Sequence, residues 1–111
     1  MLISALQKIG YPVVKPFRTG EKLLDEVMDD GIDLVVTWRD LPRMSEFDLV
    51  HGVQSYASQV ERSIPVILAG TDFKREDVLE AISAGAHQIV VLPVSEQDLE
   101  IKIEAAREMA K

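Results

Sequence analysis

The sequence predicts an α/β domain in which a parallel sheet carries helices on both faces, a doubly wound open sandwich. Three observations predict it. Short apolar runs at residues 32–37, 64–69 and 89–92 read as strands covered on both faces. Between them, apolar residues recur at helical spacing. The two patterns alternate along the chain, as they do when right-handed crossovers join parallel strands.

Leu2, Ala5, Leu6 and Ile9 open the chain on a helix, and Gly10 follows as a stop signal. Tyr11, Val13 and Val14 form a short strand whose Pro12 and Pro16 suit a sheet edge, because proline cannot donate to a ladder. Thr19 caps the next helix, with Leu23, Leu24, Val27 and Met28 on one face and Gly31 at its end. The strand at 32–37 carries Leu34, Val35 and Val36 consecutively and breaks at Leu41-Pro42. A helix over 47–56 leads to the strand at 64–69. The helix over 72–84 is capped by Asp72, points Val78, Leu79 and Ile82 inward, and ends at Gly85 in the left-handed conformation. After the strand at 89–92, Ser95 begins the last helix with Asp98 three residues on, close to a capping box, and Leu99, Ile103 and Ala106 form its core stripe. About four strands result, in one domain spanning residues 1–111.

Composition narrows the function. With 47% apolar and 28% charged residues, 111 residues suffice for one core. The absence of cysteine excludes disulfides, thiolate metal sites and a cysteine nucleophile. A net charge of -7 disfavours nucleic acid, since Arg39, Arg43, Lys74 and Arg75 are scattered. No apolar run is long enough to span a bilayer and no secretory leader is evident, so a cytoplasmic location is expected. His51 and His87 stand far apart, without a cysteine or second histidine near either, and are expected at the surface rather than on zinc. Ser45, Ser55 and Ser58 lack a nucleophile context, and no Gly-rich phosphate loop occurs. The chain reads as a binding module rather than an enzyme, with no cofactor.

Gly10-Tyr11 before Val13-Val14, Gly20-Glu21, Asp33-Leu34-Val35-Val36 running to Leu41-Pro42, Ile64-Pro65-Val66-Ile67, Ala84-Gly85-Ala86 and Pro93 form an ordered series. In their order and spacing, these residues make the chain resemble the receiver domain of two-component response regulators, the chemotaxis-regulator (CheY-like) type of flavodoxin-like fold. The resemblance implies a carboxyl edge of the sheet where an acidic pair and an acceptor Asp hold magnesium and take a phosphoryl group. Such chemistry needs clustered carboxylates, because the metal must offset oxygen charge developing in transfer.

The cluster is replaced. The acceptor position falls on Trp38, or on Thr37 if the register shifts by one; the hydroxyl switch falls on Gly70, the lysine on Leu92 before Pro93, and the aromatic of the last strand on Ile89. The acidic pair has no counterpart, since Met1 already lies in or just before the first helix. Asp40 two positions past Trp38, together with Asp33 or Asp72, reads as a relocated acidic site or as loop and cap residues. Thr71 reads as a displaced switch or an ordinary loop residue. Trp38 reads as a plug in the vacated pocket or as an exposed recognition residue. No magnesium is expected.

In the family the first strand lies at the sheet centre, and a buried edge without partners costs on the order of 1–3 kcal/mol per unpaired group. The Tyr11 strand, a second copy or a partner protein could close such a gap, and trimming of an upstream segment is a further reading. On the last helix, Ile101, Ala105 and Met109 form a second apolar stripe, read either as an interface or as burial between layers. With Ile89 they define a candidate interface. The resemblance implies a pseudo-receiver that acts without phosphorylation, docking a protein partner or a second copy. The alternatives are a small-molecule or cofactor sensor using the vacated pocket, and a remnant that folds only when another chain completes its sheet.

Overall fold

The computed structural model describes residues 2–10, 20–28, 32–38 and 46–110. Among the described residues, eight elements follow in order: α1 (Leu2–Ile9), α2 (Gly20–Met28), β1 (Val35–Trp38), α3 (Glu46–Gln59), β2 (Val66–Gly70), α4 (Arg75–Ala84), β3 (Gln88–Val91) and α5 (Glu96–Ala110). The strands lie side by side in the order β1-β2-β3, all parallel, with Val35 opposite Val66, Trp38 opposite Ala69 and Gly70 opposite Val91. The expected Tyr11 strand, the Thr19 cap, Gly31 and the Leu41-Pro42 break lie outside the described residues.

Strand periodicity sorts the core into two layers. Val35, Val66 and Leu68 point to one face and meet Val27, Leu49, Val50, Val53, Ala57 and Ala81 from α2, α3 and α4. Ile67 and Val90 point the other way, to Leu6 of α1 and to Leu99, Ile103 and Ala106 of α5. The doubly wound arrangement is thus observed, and all five residues of β2 are buried. Apolar runs without alternation are what such two-sided burial requires.

Boundaries differ from expectation for identifiable reasons. The strand at 32–37 begins later, at Val35, because the Ile32 carbonyl accepts from the Arg62 guanidinium at 3.0 Å instead of from a ladder partner. Ile64 and Pro65 precede β2, since Pro65 has no N–H to give, yet the Pro65 carbonyl accepts the N–H of Val35 at 2.9 Å. The helix expected over 72–84 begins at Arg75. Its cap residue is Lys74 rather than Asp72, and the Lys74 N–H donates to the Asp77 carboxylate at 2.8 Å.

The inward positions of α4 also need correction. Ala81 is its buried residue, whereas Leu79 and Ile82 are 58% and 44% exposed. At about 100° per residue, Leu79 lies about 200° from Ala81, nearly on the opposite side. Other expectations hold. Gly85 closes α4 at φ +118, in the left-handed region. The Ser95 hydroxyl accepts the Asp98 N–H at 3.1 Å, and Leu99, Ile103 and Ala106 are the buried residues of α5.

Candidate functional site

Parallel strands end together, and the carboxyl edge of such a sheet is where α/β folds place ligands. Here the register brings the backbone of Trp38 at the end of β1, Gly70 at the end of β2 and Leu92 just after β3 to one edge. The Leu92 N–H donates to the Gly70 carbonyl at 2.8 Å, which extends the ladder one residue beyond β3. Gly70 is buried, Leu92 half-buried, and Thr71 and Pro93 exposed. The Leu92-Pro93 peptide bond is cis. The Trp38 side chain and all of Asp40 lie outside the described residues.

A hard dication such as magnesium needs several oxygen ligands at this edge. Of Gly70, Thr71, Leu92 and Pro93, only Thr71 offers an oxygen-bearing side chain. Among the described residues, no three His, Asp or Glu side chains gather into a group able to hold a metal. Asp33 and Asp72 are exposed, Asp33 near the amino end of β1 and Asp72 two residues past β2, so the structure does not bring them together. An open depression of about 390 Å³, lined by Ser63, Pro65, Glu104, Arg107 and Glu108, lies at the amino end of β2, the opposite end from Gly70.

Residues 1–104 match the family described as the response regulator receiver domain. The chain belongs to that family. The receiver is 29% identical over 101 residues to the chemotaxis protein CheY of Pseudomonas aeruginosa, an alignment covering 91% of this chain and 80% of that one. It is 26% identical to chemotaxis protein CheY-3 of Vibrio cholerae, over 91% of this chain and 76% of that one. In structure it is similar to a CheY-like receiver domain protein from Methanospirillum hungatei, with a TM-score of 0.79 at 22% identity, over 96% of this chain and 82% of the other. It is a receiver domain of two-component signalling with the CheY-like fold.

The receiver has a second distinctive surface. On α5, Ile101 and Met109 are 56% and 53% exposed and Ala105 is half-buried, so the second stripe faces out and is not enclosed between layers. Ile89 instead packs, half-buried, against the core layer under α3 and α4. Val91, two residues on and on the same face of β3, is 54% exposed. Leu79 and Ile82 of α4 are outward too. Sequence reasoning missed these three because helical and strand periods mark apolar faces without saying what covers them. Gln88 ties β3 to α5: its amide nitrogen lies 3.1 Å from the Met109 sulfur, and its oxygen accepts from Lys102 at 3.4 Å.

The histidines separate. His51 is exposed as expected. His87 is not a surface residue: it is half-buried between α4 and β3, its ring Nδ1 accepts the Val66 N–H at 3.0 Å, and burial lowers its pKa below the ordinary 6.5. The only signal in the sequence was its place between Ala86 and an apolar strand. No described helix is long and apolar enough to cross a membrane.

Proposed function

We propose that this receiver acts without phosphorylation, as a protein-interaction or dimerisation module in two-component-type signalling. One observation carries the reading. The edge that would have to gather carboxylates instead brings together a tryptophan backbone position, Gly70 and Leu92, none of which can accept a phosphoryl group or ligate magnesium through a side chain. The framework that presents an output surface is meanwhile intact, with outward Leu79, Ile82, Val91, Ile101 and Met109 on α4, β3 and α5. Large side chains exposed on three neighbouring elements support a docking role.

Trp38 is the single tryptophan and ends β1, so its fluorescence reports on the edge. The protein is titrated with magnesium and a fluoroberyllate mimic of the phosphoryl group, and separately incubated with acetyl phosphate. Flat fluorescence and no acid-labile phosphate are expected. A saturable response, or a phosphorylated chain, would sink the proposal.

A further inference from the structure

Two N–H groups aim at one ring nitrogen. The Val66 N–H donates to Nδ1 of His87 at 3.0 Å, and the side-chain nitrogen of Gln54 stands 3.5 Å from the same atom. The backbone of His87 closes the arrangement, its own N–H donating to the Val66 carbonyl at 2.8 Å. An imidazole nitrogen accepts only when it carries no proton, so the Val66 donor fixes the neutral tautomer with its proton on Nε2. The Val66 side chain is fully buried at the start of the central strand. Its N–H meets a ring nitrogen where a ladder would ordinarily supply a carbonyl.

We propose that His87 is an acid-sensitive latch: neutral, it fastens the start of β2 and, through Gln54, the turn between α4 and β3; protonated at Nδ1, it releases both. The proton comes from solvent and converts the shared acceptor into a third donor facing two donors, an arrangement without a hydrogen bond. Gln54 carries the effect further, because its nitrogen also donates to the Gly85 carbonyl at 2.8 Å, linking α3 to the end of α4. Release frees Gln54 from the ring while its bond to Gly85, next to α4 with its outward Leu79 and Ile82, stays in place. The inference is independent of whether the receiver is phosphorylated.

The surroundings leave the ring to respond to its own proton. β2 and β3 carry no ionisable residue. On α3, Asp48 and His51 are exposed; on α4, Glu80 is exposed; on α5, Lys102 is engaged with Gln88. In the segment before β2, Arg62 donates to the Ile32 carbonyl. Burial is the cause of the lowered pKa, with no neighbouring charge contributing.

The test is a native-state NMR titration of the full, nitrogen-labelled chain from about pH 7.5 to about pH 5. It reads the His87 ring nitrogens, the Val66 amide and the Gln54 side-chain amide. At the neutral end, Nδ1 is expected to show the shift of an unprotonated nitrogen. Val66 and Gln54 should then move together with the ring, on one midpoint below 6.5. Val66 protection against exchange should fall several-fold, at most about tenfold per pH unit. His87→Asn keeps an acceptor near the Nδ1 position without a titrating proton, and should abolish these transitions; His51→Asn should leave them unchanged. A neutral ring protonated at Nδ1, a Val66 amide that stays fixed while the ring titrates, or a transition that survives in His87→Asn overturns the latch. Should His87→Asn not fold, the first two readings on the wild type still decide.

Discussion

The side-chain amide of Gln54 donates to the carbonyl of Gly85 at 2.8 Å, so the turn after α4 is held by a residue thirty-one positions earlier, on α3. Glycine is required there twice over. At φ +118 any other residue is strained, and a Cβ would lie 2.7 Å from Cγ of Gln54. Gly85→Ala is expected to lower stability by about 1–3 kcal/mol, read as a lower urea midpoint. An unchanged midpoint would contradict the contact.

Leu99 and Ile101 share a helix and differ in burial, Leu99 being enclosed and Ile101 outward. Leu99→Ala should cost about 2–5 kcal/mol, from lost transfer energy and the cavity left behind. Ile101→Ala should stay within about 0.5 kcal/mol of wild type. Equal losses measured by chemical denaturation would mean that the second stripe is covered after all.

Self-association is tested by light scattering on a sizing column across a roughly hundredfold concentration range. If a second copy covers the α4, β3 and α5 face, the wild type is a dimer and Ile101→Glu with Met109→Glu is a monomer of unchanged stability. A wild-type monomer at every concentration would turn the search to a separate protein partner.

Acid should weaken the fold through His87. Well above pH 6.5 the ring is neutral whether the chain is folded or not, and contributes no pH dependence. As pH falls below 6.5 the unfolded chain takes up a proton that the folded ring, with its lowered pKa, resists, so stability falls until the folded ring titrates as well. Urea midpoints at successive pH values should therefore diverge between wild type and His87→Asn in that window. Parallel curves would show that His87 is not the group responsible.

Much of the architecture was legible because burial on two faces leaves a direct imprint. Val35-Val36 and Ile67-Leu68 lack alternation since each residue of a pair serves a different core layer. Gly85 and Ser95 are local devices and announce themselves. Leu79, Ile82 and Val91 were not legible as outward residues, because an apolar side chain reads alike whether it meets its own core or a partner. His87 was misread for a related reason: its role depends on Val66 and Gln54, distant in sequence. At the strand ends, the resemblance put the acceptor, switch and lysine positions on Trp38, Gly70 and Leu92, and the register places the backbones of these three at one edge.

β2 is a partition wall one residue thick. Ile67 belongs wholly to the compartment of α1 and α5, and Leu68, its covalent neighbour, to that of α2, α3 and α4. Methyl signals from these two adjacent residues therefore serve as separate gauges. A ligand seated on α5 would disturb Ile67 first and one wedged at α3 would disturb Leu68 first, so the side of attack can be told before any complex is solved.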